Sequence, residues 1–244
     1  MEDDDMAREF EVTWDGELPA SPQQVWDAFT KHTRGWLWDI AYEPRVGGAE
    51  RGLTDDGGTV TVWDPYRRFV TRAEAGADFN QLDYTLSPRG DGTHLHFVHR
   101  GVMSGDYDLE LDACRRHTAF YYHSLGEYLR HFSGRDATYF SVDAPASSRH
   151  DGFARIREAL GAGNPAVGDT VRWEPAGLPP IEGIVDYATD TFLGVRGADA
   201  LYRFYGRDRW GRPVGVALHV FEGDADEAAW SGWLNEIFST EMEA

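Results

Sequence analysis

A chain of 244 residues with a formal net charge of −19 and nine tryptophans is long enough for one large domain or two of roughly 110–135 residues. The negative charge is shared by both halves, which excludes a basic nucleic-acid module, and the single cysteine, Cys114, excludes an internal disulfide framework or a cysteine-rich metal site. Apolar runs fall far short of the roughly 20 residues of a membrane span, and the acidic start Glu2-Asp3-Asp4-Asp5 is unlike a signal peptide, so a cytoplasmic location is expected.

Phe10, Val12 and Trp14 alternate with Glu11 and Thr13, the period of a strand with one wet face. Ser21-Pro22-Gln23-Gln24 predicts a helix start: Ser21 as N-cap, Pro22 where its missing N–H does no harm, and Gln24 closing a capping box. Val25, Trp26 and Phe29 supply its buried side, and a short helical turn follows over 33–38. Strands are predicted at 40–46, 49–53, 59–63, 68–75, 81–86 and 93–100. Gly47-Gly48, Asp55-Asp56-Gly57-Gly58, Asp64-Pro65 and Pro88 to Gly92 punctuate them. The period then changes. Leu111, Cys114, Thr118, Tyr121, Leu125, Tyr128 and Phe132 recur at three- and four-residue steps, which predicts a helix over 106–132 with an apolar stripe that the sheet must cover.

The second half repeats the order in shortened form. A strand is predicted at 139–142, then a helix capped by Ser148 with Phe153, Ile156 and Leu160 inward. Strands at 170–174, 181–187, 192–196, 200–205 and 213–220 precede a last helix, capped by Asp224 with Glu227 three residues on. Strand, helix, strands, final helix therefore occurs twice. The expected fold class is α+β, a curved antiparallel sheet around a C-terminal helix, in tandem with a shorter similar domain; the domains fall at 8–134 and 137–240.

The first half resembles the START/Bet v1-like superfamily, and within it the activator of Hsp90 ATPase homologue-like domain. The resemblance rests on Ala20-Ser21-Pro22-Gln23-Gln24-Val25-Trp26-Asp27-Ala28-Phe29, Gly47-Gly48, Val62-Trp63-Asp64-Pro65-Tyr66-Arg67-Arg68, Gly92-Thr93-His94-Leu95 and His99-Arg100-Gly101-Val102, in the family's order. It implies a helix-grip fold with a cavity between sheet and helix. Relatives sharing that fold bind lipids, hormones or polyketides, some cyclise or hydrolyse them, and others act as co-chaperones. The chain departs from the family at Asp112 to His117, where relatives place an aromatic-rich segment ending in Gly-Trp, which implies a reshaped pocket.

Trp36, Trp38, Trp63, Phe79, Phe97, Tyr121 and Tyr128 come from elements that would surround such a cavity, with His99 or Tyr121 orienting a ligand; the same rings would equally make a packed core. His94 and His96 share one strand face and His99 the other. His117 and Tyr121, one helical turn apart, offer a proton relay or ordinary packing. The histidines lack metal-ligand spacing, and no nucleophile elbow, phosphate loop or dinucleotide fingerprint is present. No catalytic residue, metal or cofactor is therefore assigned. Three functions are consistent with these residues. The first is binding of a hydrophobic or aromatic small molecule. The second is a co-chaperone-like module whose acidic surface selects a basic partner protein. The third is a cyclase, aromatase or hydrolase acting on a hydrophobic substrate.

Overall fold

The computed structural model describes residues 7–54, 56–76 and 78–239. Two compact units divide the chain, Met1–Arg135 and Asp136–Ala244.

In the first unit, strand β1 (Arg8–Leu18) leads to helix α1 (Pro22–Thr30). The Ser21 capping box forms as its sequence dictates: Gln24 N–H donates to Ser21 Oγ at 3.4 Å and Ser21 N–H to Gln24 Oε1 at 3.0 Å. A one-turn 3₁₀ segment, Thr33–Gly35, follows. Strands β2 (Ala41–Tyr42), β3 (Ala49–Arg51), β4 (Gly58–Asp64), β5 (Arg68–Ala75), β6 (Asp78–Arg89) and β7 (Gly92–Met103) then run as an antiparallel meander, and α2 (Tyr107–His131) closes the unit. The sheet order is β1-β7-β6-β5-β4-β3-β2, so the first strand pairs with the last, Phe10 opposite Gly101 and Trp14 opposite Phe97.

The predicted strand at 40–46 shrinks to two residues, because Pro44 has no N–H for a ladder and Gly47 turns the chain with φ of +76°. Asp55 of the predicted 55–58 turn lies outside the described residues; Gly57 takes φ of +73°. Helix α2 is N-capped by Asp106, whose carboxylate accepts from Leu109 N–H at 3.1 Å.

In the second unit, β8 (Thr138–Asp143) and α3 (Gly152–Ala159) precede β9 (Thr170–Trp173), β10 (Ile181–Ala188), β11 (Phe192–Arg196), β12 (Ala200–Tyr205), β13 (Gly215–Val220) and α4 (Glu227–Phe238). The order β8-β13-β12-β11-β10-β9 repeats the first unit's pattern, first strand on last strand and a meander between. Phe140, Val142, Phe204 and Leu218 form its core with Trp230, Trp233, Leu234 and Phe238 of α4. Two predicted caps move. Ser148 sits in a 3₁₀ turn and accepts from Val214 N–H at 3.2 Å, while Asp151 precedes α3. Asp226, not Asp224, caps α4 through Ala229 N–H at 2.9 Å; Glu227 is then the first helical residue. The chain is still non-helical through Asp226 and enters the helix only at Glu227, which puts Asp226 at the cap.

Candidate functional site between the sheet and the long helix

Register assigns the concave face of the first sheet. Phe69 opposes Tyr84, which opposes Phe97, which opposes Trp14, so these rings share one side together with Thr71, Leu82, Asn80 and His99. Helix α2 lays Tyr122 onto them, 4.9 Å from Phe97 and 4.8 Å from Trp14 between ring centroids. Phe29 of α1 meets Tyr84 at 4.8 Å, and Phe69 stacks on Tyr84 at 5.5 Å with 23° between planes. The interior is a continuous aromatic set.

Polar groups are placed within it at two ends. At one end His99, partly exposed, connects two elements: its Nε2 lies 2.6 Å from Asn80 Oδ1 and its Nδ1 3.4 Å from Cys114 Sγ. Asn80 Oδ1 can only accept, so Nε2 carries the proton and Nδ1 accepts from the thiol. Burial lowers the His99 pKa to about 4 and raises that of Cys114 to about 11, since a dry environment disfavours each charged form. Both rest neutral. Phe10 meets the imidazole edge-on at 4.8 Å.

At the other end Glu50 is 2% exposed, and one of its oxygens accepts from Leu53 N–H at 2.7 Å. Burial pushes its carboxyl above the usual range. Gly58 leaves room for it, since a Cβ there would stand 2.7 Å from Glu50 Oε2 and oblige the carboxylate to shift. Tyr42 opposes Glu50 in the β2–β3 ladder and packs on Phe69 at 4.7 Å. Between the two ends the Tyr122 hydroxyl donates to that of Tyr84, and burial holds both phenols well above their ordinary pKa. Thr71, 1% exposed, has a hydroxyl with no hydrogen-bond partner among the protein groups. Glu50 also lines a depression of about 760 Å³ walled by β3, β4 and β5, whose other side chains include Thr59, Thr61, Arg72 and Glu74.

The eight predicted ligand residues separate into groups. Phe97 and His99 come together, 6.3 Å apart, and Trp36 joins them through Tyr122 at 6.1 Å. Trp63 is on the same face but at the α1 end, 4.9 Å from Trp26. Trp38 and Tyr121 meet at 5.5 Å, with Trp38 Nε1–H donating to Gly52 O at 2.6 Å. Tyr128 is buried at the C-terminal end of α2, where its hydroxyl donates to Arg135 O and accepts from Gly134 N–H. Phe79 is not on the concave face: it follows Asp78 out of phase with Asn80, Leu82 and Tyr84, and lies under the Arg72 guanidinium at 4.2 Å.

Tyr122 rather than Tyr121 faces the sheet, because the buried stripe of α2 runs through Thr118, Tyr122, Leu125 and Leu129 as well as Tyr128. Asn80, Cys114, Glu50 and Thr71 went unassigned as site residues in the sequence. Period-2 alternation from Tyr84 could have found Asn80; nothing local marks the others. His94 and His96 point outward beside Asp15, His96 at 2.8 Å, and His117 Nδ1 bonds Ala113 O at 2.8 Å. Among the described residues no three His, Cys, Asp or Glu side chains are grouped to hold a metal ion. No helix among the described residues is long and apolar enough to cross a membrane.

The sequence pattern of the family described as Activator of Hsp90 ATPase homolog 1-like protein matches residues 19–130, the span from the α1 cap to the end of α2. The first unit is a START/Bet v1-like, AHSA1-like domain. No curated protein matches the chain. Among solved structures, CalU16 from Micromonospora echinospora is 19% identical, over 51% of this chain and 86% of its own, with a TM-score of 0.41. Mll3558 from Rhizobium loti is 21% identical over 51% and 99%, TM-score 0.42. DynU16, a protein in the dynemicin biosynthetic locus, is 16% identical over 94% of both chains, TM-score 0.44. In this AHSA1-like domain His99, Asn80, Cys114 and Thr71 give the aromatic interior its chemical character.

Proposed function

We propose that the first unit binds a small apolar or aromatic molecule between its concave sheet and α2, with the Thr71 hydroxyl fixing the ligand's orientation and the His99 ring bordering it. One polar atom with unused capacity inside an aromatic interior, the Thr71 hydroxyl, carries this reading. Ligand sites combine apolar walls with a few convergent polar groups, and buried polar atoms are otherwise paired. Thr71 is buried with an unpartnered hydroxyl, and His99 is a neutral, partly exposed imidazole bordered by Phe10 and Phe97.

Turnover is supported less. Acid–base catalysis at neutral pH wants a pKa near 7, and burial moves His99 and Cys114 away from it in opposite directions. A co-chaperone role, suggested by the family's name, wants an exposed apolar patch. The exposed large hydrophobics of the described residues, Val46, Tyr66, Leu109 and Val167, come from four separate segments.

The test is native mass spectrometry of the protein purified from its own host, joined to thermal-shift screening with fatty acids and fused-ring aromatics. A retained small-molecule mass is expected, with stabilisation that Thr71→Val or His99→Gln weakens. Only unliganded mass and no stabilisation across the panel would refute it.

A further inference from the structure

The depression walled by β3, β4 and β5 holds two polar groups that the fold leaves unanswered. Glu50 is almost fully buried, and of its carboxyl oxygens Oε1 accepts from Leu53 N–H at 2.7 Å. That N–H and burial are what act on the carboxyl. A carboxylate has room for about four donors, and a buried charge is costly until it is paired. Thr54 lines the same depression, and its buried hydroxyl has no hydrogen-bond partner among the protein groups. The segment that carries it is pinned at both ends: Trp38 Nε1–H donates to Gly52 O at 2.6 Å, and Gly57 N–H to Thr54 O at 3.1 Å.

The remaining charges of the lining offset one another. Among the described residues they are Arg51, Arg72, Asp56 and Glu74. Arg72 is engaged by Glu74 at 2.8 Å and by Gln81 at 3.3 Å. Arg51 follows Glu50 in β3, so its exposed side chain leaves from the opposite face of the strand, and Asp56 balances it in sign. Glu50 is therefore the charge without a counter-ion. Thr59 and Thr61 are exposed along the β4 wall, and no aromatic ring lines the depression among the described residues. An anionic ligand would meet repulsion from Glu50. A neutral one would leave the buried charge unpaired, and an apolar one would gain little from threonines and glycines. A primary ammonium can donate to Glu50 Oε2 and to Thr54 Oγ1, and hydroxyl groups on its carrier suit Thr59 and Thr61.

We infer that this depression binds a small hydroxylated primary amine, an amino alcohol or amino sugar, whose ammonium group pairs with Glu50 and Thr54. Thr71 lies outside the lining, so the site stands apart from the ligand proposed for the aromatic interior.

The experiment titrates the full chain by calorimetry with glucosamine and serinol, and with glucose, glycerol and gluconate as matched neutral and anionic probes. At least one amine should bind saturably and more tightly than its neutral match, and gluconate should not bind. Glu50→Gln keeps an oxygen for Leu53 N–H and removes an unpaired buried charge, so it should melt no lower than the parent. It should bind the amine about ten- to a hundredfold more weakly, as for a lost hydrogen bond to a charged group. Thr54→Val removes a hydroxyl that holds nothing in the protein; it should keep the melt and weaken the amine about three- to tenfold. Thr71→Val should leave amine binding as it is, whatever becomes of the interior ligand. The inference is overturned if neither amine saturates, if the neutral match binds as tightly as its amine, or if Glu50→Gln binds the amine unchanged. Should Glu50→Gln fail to fold, unchanged binding by Thr54→Val overturns it instead.

Discussion

Thr71 and Thr93 make a controlled comparison. Both are buried threonines on the concave face of the first sheet, 1% and 0% exposed, and they differ in one respect. Thr93 donates its hydroxyl to Ala20 O at 2.7 Å, whereas Thr71 Oγ1 has no partner among the protein groups. Thr→Val exchanges a hydroxyl for a methyl of nearly the same size. At Thr71 it removes an unpaired polar atom whose burial costs roughly 1–3 kcal/mol and places the methyl beside Val60 and Leu82, the residues opposite it in the ladders. Thr71→Val should therefore stabilise the first unit by about 1–2 kcal/mol, a rise in Tm of roughly 3–8 °C. Thr93→Val should do the reverse, losing about 1–2 kcal/mol, because the Ala20 carbonyl is left unpaired. Urea unfolding followed by circular dichroism, with calorimetry to separate the transitions of the two units, reads both. A loss of stability at Thr71→Val comparable to that at Thr93→Val would show that the Thr71 hydroxyl is engaged, and would remove the main support for a ligand site there.

Other outcomes follow from buried charge and burial of titratable groups. Arg203 and Asp186 form a bidentate pair at 3.0 and 2.8 Å with the guanidinium fully buried; Asp186→Asn should destabilise the second unit by about 3–5 kcal/mol, measured by denaturant unfolding. The folded state holds His99 at about 4 against an ordinary 6.5, so between those values the unfolded chain takes a proton that the folded one refuses. Stability is complete above about pH 6.5 and falls toward pH 4, by up to about 3 kcal/mol from this group; His99→Gln should flatten that part of the profile relative to the parent. Cys114, with its pKa near 11, should react with iodoacetamide at pH 8 about a hundredfold more slowly folded than in urea, followed by intact mass. Equal rates would mean the thiol is neither buried nor held by His99.

Much of the fold was legible because it is written in local chemistry. Ser21, Pro22 and Gln24 state a helix start by themselves, and Phe10, Val12 and Trp14 state which face of β1 is dry. The candidate site was legible only in part. His99 and Phe97 were found by alternation along one strand, and Tyr84 lies on the same face. Phe79 was assigned to the cavity for being aromatic, although its odd register with Tyr84 sets it on the opposite face. Tyr121 was taken for Tyr122, because adjacent helical positions lie 100° apart and a wide apolar stripe admits either.

What the sequence by itself determined, then, is element type, most turns, the repeated order of the two units and the acidic charge of both. These depend on periods of 2 and 3.6 and on capping chemistry, which act over a few residues. Tertiary structure alone decided that β1 pairs with β7, that His99 bridges Cys114 and Asn80, and that Thr71 is buried without a partner among the protein groups. It also put the buried Glu50 in the wall of a depression shared with β4 and β5. Those are juxtapositions of residues distant in the chain. They are set by which ladders close and how a helix rotates to bury its widest face, and no short-range pattern records either.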